Sequence, residues 1–202
     1  MLKLYSHPFS TFGRRVTMAL LEKGIEYEPI TVDMAKREHR GEAYRKLNPY
    51  GRVPTLVDGD FVLYESSAIL NYLEAIHPEP ALLPESVQER ARVDMHMKLC
   101  DLELGAPSYE IVFAKRFLPK EKWNEASMAK QREKINRHLA ILGAELEGKE
   151  YLVGERFTLA DLCYAPLAEF FGLMEVDLPP SVAAWAERLL ARPSAVQTKP
   201  AM

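Results

Sequence analysis

The chain has 202 residues, of which 48% are hydrophobic and 27% charged, with a formal net charge of -3. That balance is ordinary for a globular protein able to bury one large or two modest cores, and it lacks the basic footprint of a nucleic-acid partner. Nothing approaches the roughly eighteen consecutive apolar residues of a membrane span, and Met1-Leu2-Lys3-Leu4-Tyr5 has no apolar core of signal-peptide length. Cys100 and Cys163 cannot build a disulfide framework and show no C-x-x-C spacing. The expectation is therefore a cytoplasmic protein with two buried thiols.

Leu2 to Tyr5 reads as a short strand that stops at Ser6-His7-Pro8, because proline pushes the residue before it out of the α region. From Gly13 the pattern becomes helical, with Val16, Ala19, Leu20 and Leu21 on one face and Gly24 at the C-terminal position. Ser10 and Thr11 thereby fall at a helix N-terminus. Tyr27 to Val32 reads as a second strand, and so short a β-helix-β succession implies a parallel pair with a crossover helix. Met34 to Lys46, rich in charge and poor in periodicity, reads as irregular helix or loop.

Asn48 to Leu73 carries the densest set of signals. Pro54 interrupts the β-rich run Val53 to Val57 and lacks a ladder N–H, so backbone groups beside it are left for a ligand. Asp58-Gly59-Asp60 is a turn between Thr55-Leu56-Val57 and Phe61-Val62-Leu63, which predicts a hairpin. Ile69, Leu70, Leu73 and Ile76 then fall at helical spacing, with Ser66 or Ser67 placed to cap free N–H groups. A helix start of that kind favours a carboxylate. A hairpin packed on a capped helix, with no ligand at all, accounts for the same local features.

Pro78, Pro80 and Pro84 mark a linker, giving a first domain at 1–78, a linker at 79–84 and a second domain at 85–202. Beyond Pro84 strand signals vanish and four helical runs are predicted: Val87 to Phe117, Lys120 to Glu147, Thr158 to Phe171 and Val182 to Ala191. Thr158-Leu159-Ala160-Asp161 has the form of a capping box, with Phe157 and Leu162 as a hydrophobic staple. Tyr109, Phe113 and Phe117 recur at i, i+4 and i+8 and make one stripe, more often core than ligand wall. His96 and Cys100 share a helix face, but no further ligand cluster accompanies them, so no metal is expected.

The order β-α-β, connector, β-β-α followed by helices resembles the cytosolic glutathione transferases: an α/β thioredoxin-like N-terminal domain followed by an all-helical C-terminal domain. The matching residues are Val53-Pro54 and Glu65-Ser66, the run His7 to Val16 (H-P-F-S-T-F-G-R-R-V), and Tyr151 to Leu162 (Y-L-V-G-E-R-F-T-L-A-D-L). The first of these runs resembles the serine-dependent phi class. Among Ser6, Ser10 and Thr11, which local features leave open, the resemblance selects Ser10 as the hydroxyl facing the thiolate of glutathione, the co-substrate. It implies a cis Pro54, with Val53 pairing to the cysteinyl backbone, and Phe12 beside the sulfur on the electrophile side. His39 and Arg40 would meet the glycine carboxylate, Arg52 stands where the family has a basic residue before Val-Pro and carries the right charge for the anionic tripeptide, Glu65 would meet the glutamyl ammonium and Ser66 the neighbouring carboxylate. Tyr109, Phe113 and Phe117 are the candidates for the hydrophobic electrophile, and Tyr50 for the aromatic key of a homodimer. Arg14 and Arg15 are read as solvated or structural. The other class of function the fold allows is a non-catalytic module that binds partner proteins or hydrophobic ligands. Keeping Ser10, Arg52, Pro54, Glu65 and Ser66 together argues against it.

Overall fold

The computed structural model describes residues 1–200. Residues 1–82 with 193–200 form one compact unit, and residues 83–192 a second.

The first unit is a four-stranded mixed sheet in the order β2-β1-β3-β4. Its elements are β1 (Leu2–Ser6), α1 (Thr11–Glu22), β2 (Tyr27–Thr31), a 3-10 turn (Glu38–Arg40), α2 (Glu42–Arg45), β3 (Thr55–Asp58), β4 (Phe61–Tyr64) and α3 (Ser66–Ile76). β1 and β2 run parallel, from Leu2 opposite Tyr27 to Ser6 opposite Thr31, as the crossover through α1 requires. β3 runs antiparallel to β1 and joins β4 in a hairpin that pairs Asp58 with Phe61, so the turn is Gly59-Asp60. Gly59 has φ +57, the left-handed conformation a two-residue hairpin turn demands. α1 and α3 pack together, burying Val16, Ala19 and Leu20 from one and Ile69, Leu70 and Leu73 from the other.

Two buried cations tie distant chain to α1. Lys23, just past its end, pairs with Glu74 at 2.5 Å and donates to the carbonyls of His77 (2.6 Å) and Pro80 (2.8 Å). Arg14 donates from Nη2 to the Ala195 carbonyl at 2.8 Å and from Nε to Thr198 Oγ1 at 3.1 Å. The predicted division placed everything from residue 85 in the helical domain. α10 (Pro193–Gln197) instead packs on α1, because a buried guanidinium needs acceptors and this last helix supplies them. Arg14 and Arg15, 5% and 2% exposed, are structural rather than solvated.

The second unit holds α4 (Val87–Leu99), a π-helical stretch (Cys100–Gly105), α5 (Ala106–Phe117), a 3-10 turn (Lys120–Lys122), α6 (Glu125–Glu145), α7 (Leu159–Ala168), α8 (Phe171–Met174) and α9 (Pro180–Leu190). The predicted helix from Val87 to Phe117 is thus continuous but widened in its middle. Pro107 explains this: it has no N–H to give, its ring crowds the carbonyl four residues back, and a π turn relieves both. The capping box is formed. Asp161, fully buried, accepts from Thr158 N and Oγ1, Leu152 N (each 3.0 Å) and Trp185 Nε1 (2.9 Å). Burial pushes its carboxyl pKa up, and these four donors oppose that. Among the described residues no helix is long and apolar enough to cross a membrane, and no three His, Cys, Asp or Glu side chains cluster as metal ligands would. Cys100 and Cys163 are buried and joined by no disulfide.

Trp185 packs edge-on to Tyr164, whose ring stacks on His138 while its hydroxyl meets His138 Nε2 at 3.0 Å. Burial lowers the His138 pKa to about 4. In the unfolded chain that imidazole titrates near 6.5. Its stabilising contribution is therefore complete above pH 6.5 and is lost as pH falls toward 4, where the unfolded chain takes up a proton the folded one refuses. The free energy of urea unfolding is expected to decline across that window, and His138→Gln to flatten the decline by about 1.4 kcal/mol per pH unit. An unchanged slope would show that His138 is not the group responsible.

Candidate active site

Ser10 is the N-cap of α1, with extended backbone (φ -81, ψ 112), and its Oγ accepts the Gly13 N–H at 3.0 Å. Its own N–H donates to the His7 carbonyl at 2.9 Å, which closes the turn leaving β1. A hydroxyl oxygen that accepts still has its hydrogen to give, so Ser10 offers an O–H donor at the positive end of a 12-residue helix. Thr11 is the first helical residue beside it. Ser6 belongs to the strand below, and its Oγ occupies the space that a Cβ on Gly13 would fill. Sequence left these three hydroxyls open, and all three lie at the first turn of α1.

Strand register brings the remaining pieces to the same end of the sheet. Tyr5 lies opposite Thr55, so Val53-Pro54 runs beside the start of the Ser6 to Ser10 turn, and Tyr64 opposite Thr55 puts Glu65 next to Pro54. The Val53-Pro54 peptide is cis. A buried network holds the turn that precedes it. Tyr44 Oη (2.7 Å) and Asn48 Nδ2 (2.8 Å) both donate to the Arg52 carbonyl, Tyr44 Oη also meets Thr55 Oγ1 at 2.9 Å, and Asn48 Oδ1 accepts the Tyr50 N–H at 3.1 Å. With the Arg52 carbonyl turned inward, the backbone of Val53 is left to other partners. Gly51 has φ +60, and a Cβ there would lie 2.7 Å from the His39 carbonyl, so the charged connector is held close against this turn.

α3 begins in a way the sequence misjudged. Its N-cap is Glu65, exposed, with φ 71 and ψ 111 and no capping side chain. Such a backbone costs a non-glycine residue on the order of 1–3 kcal/mol, which sites of function tend to retain. Ser66, one of the two serines expected to cap the helix, is instead its first residue, and its Oγ accepts two bonds from Arg15, at 2.9 Å from Nε and 2.6 Å from Nη2. A charged donor outcompetes a helix N–H for that oxygen. Arg15 also lies over the Phe12 ring, 4.7 Å from its centroid.

The family models for the glutathione S-transferase N-terminal and C-terminal domains match residues 4–81 and 106–193. Glutathione S-transferase 4 of Zea mays is 33% identical over 204 residues, covering 96% of this chain and 90% of that protein. The chain belongs to the glutathione S-transferase family. Among solved structures, glutathione transferase F2 of Populus trichocarpa superposes with a TM-score of 0.89 at 28% identity, over 98% of this chain and 97% of that one. The theta class glutathione S-transferase of Xanthomonas axonopodis pv. citri, solved with glutathione bound, gives 0.90 at 29% identity, over 100% and 98%.

His39 and Arg40 form the 3-10 turn, with Arg40 exposed and His39 Nδ1 buried without a hydrogen-bond partner among the described residues. Burial first, and then the charges of Arg40 and Arg37, lower the His39 pKa and favour a neutral ring. Arg52 is exposed. Tyr50 is 68% exposed and meets the Tyr64 ring edge-on at 5.8 Å. In the helical unit Tyr109, Phe113 and Phe117 are not core. They are 69%, 41% and 53% exposed and form a ladder of rings 5.7 and 5.4 Å apart. Sequence reasoning missed Tyr44, Asn48 and Thr55, which hold the proline turn, and the role of Arg15. Asn48 stands in the Asn-Pro-Tyr-Gly turn and reads as ordinary turn chemistry, and nothing local marks Tyr44 as its partner.

Asn48→Ala removes one donor from the Arg52 carbonyl and the acceptor of the Tyr50 N–H. It is expected to lower stability by about 1–2 kcal/mol in urea unfolding and to speed amide exchange at residues 50–55. Exchange at 50–55 equal to that of the unaltered chain would show that the network does not hold the turn.

Proposed function

We propose that this chain is a glutathione transferase in which Ser10 stabilises the glutathione thiolate for attack on a hydrophobic electrophile. The observation that carries the reading is the cap of α1. Ser10 Oγ accepts from Gly13 and keeps its hydrogen for a sulfur anion, at the end of the sheet where Pro54 and Glu65 also lie. A free thiol of this kind has a pKa near 8.5, so only a few per cent is thiolate at neutral pH. Moving it down by about two units asks for about 2.7 kcal/mol, within reach of one charge-assisted hydrogen bond and a helix dipole. The thiol proton leaves to solvent. The thiolate then forms a carbon–sulfur bond as the electrophile's leaving group departs with its electron pair, or it attacks the terminal oxygen of a hydroperoxide. In the second case the O–O bond breaks, the alkoxide leaves and takes a proton, and the resulting sulfenic acid condenses with a second glutathione to give the disulfide and water.

In this reading the Val53 backbone pairs with the cysteinyl residue beside Pro54. Glu65 faces the glutamyl ammonium and Ser66 its carboxylate, while Arg40, Arg52 and a neutral, donating His39 take the glycine carboxylate. Phe12 stands on the electrophile side of the sulfur, and within the helical unit the exposed ladder Tyr109, Phe113 and Phe117 is by itself a flat apolar surface. A homodimer with Tyr50 at its contact is consistent with so exposed an aromatic ring, and a cytoplasmic location with two cysteines joined by no disulfide.

Ser10→Ala, which leaves the helix dipole in place, is expected to raise the pKa of bound glutathione by about 1.5 units and to lower kcat/KM toward an aryl halide at neutral pH about tenfold, with Thr11→Ala closer to the unaltered enzyme. Thiolate absorbance against pH and steady-state conjugation rates measure both. Equal losses in the two variants would move the role from Ser10 to the helix end itself. Tyr50→Ala is expected to shift the dimer toward monomer in light scattering, and an unmoved dimer would remove Tyr50 from the contact.

A further inference from the structure

Arg15 is 2% exposed, and two of its donors converge on one oxygen, Ser66 Oγ, which is itself in a residue 3% exposed. A serine hydroxyl has two acceptor lone pairs and one hydrogen. Both N–H groups of the one guanidinium reach the oxygen from the same side, so Ser66 accepts there and its hydrogen turns away from the cation. Among the described residues no acceptor meets it. Phe12 beneath the guanidinium plane and the planar fork of the group itself fix this geometry, which a lysine ammonium could not reproduce.

We propose that Arg15 is a positioning residue for the glutamyl end of glutathione. Acting through Ser66, it makes that hydroxyl a polarised donor, turned away from the cation, to the peptide's α-carboxylate and sets a positive charge behind it. The inference rests on the glutathione reading above. A hydrogen-bond donor whose oxygen already accepts from a cation is strengthened by it, and a carboxylate is the ligand group that gains most. A role confined to joining α1 to α3 would be indifferent to that carboxylate, and this difference gives the test.

The probes are glutathione and its analogue lacking only the glutamyl α-carboxylate, γ-aminobutyryl-cysteinyl-glycine, with Kd measured by calorimetry on the full chain. The unaltered chain is expected to prefer glutathione by about thirtyfold, and Arg15→Lys and Ser66→Ala each to reduce that preference to about threefold. The double variant is expected to lose nothing more, since both changes remove one interaction. The Kd for the analogue should hardly move. If both peptides weaken together and the preference stays near thirtyfold, Arg15 is only structural and the proposal is overturned. Should Arg15→Lys fail to fold, Ser66→Ala decides: full preference there overturns the proposal, and its loss with an unchanged analogue Kd supports it. Failure of the glutathione reading looks different, since the unaltered chain would then bind neither peptide, which removes the proposal with it.

Discussion

The antiparallel pairing that sets Tyr5 opposite Thr55, and Thr55 opposite Tyr64, decides what this N-terminal unit can do. Strand register has a period of two residues, and a slip of one would turn every side chain to the other face. In the register observed, the turn leaving β1, the Val53-Pro54 peptide and the Glu65-Ser66 helix start all emerge at one sheet end. A serine cap, a backbone edge and a carboxylate near a helix N-terminus thus become neighbours although 55 positions separate Ser10 from Glu65 in the chain.

Around that end, buried polar groups do the holding. Tyr44, Asn48 and Thr55 keep the Arg52 carbonyl inward, and Arg15 holds Ser66. Each bond would contribute only about 1 kcal/mol net, but leaving any of these groups unpaired in the interior would cost more, so the geometry is selected by what its absence would penalise. The helical unit uses the same logic at Asp161, where four donors surround one buried carboxylate and pin the start of α7 to Trp185.

Much of this was legible in the chain. The hairpin came from Asp58-Gly59-Asp60, the parallel pair from a short β-helix-β succession, and the capping box from Thr158 and Asp161. Ser10 was legible as a helix cap, and its assignment over Thr11 came from resemblance rather than from spacing. Less legible were the features that depend on what a side chain meets across the fold. The Tyr109, Phe113 and Phe117 stripe reads as core by periodicity but is exposed, because α5 buries its other face through Ile111 and Ala114. Arg14 and Arg15 read as solvated or structural, since sequence cannot say whether acceptors await a guanidinium inside.

The sequence by itself determined the strands, the hairpin and the long helices in their order, because these follow from local periodicity, proline and turn chemistry. Only the tertiary structure decided that the last helix returns to α1, that Ser66 receives Arg15 rather than capping its own helix, and that Asn48 and Tyr44 share one carbonyl. Each of those is a long-range hydrogen bond to a buried group, and a partner's distance along the chain leaves no mark on the residues between.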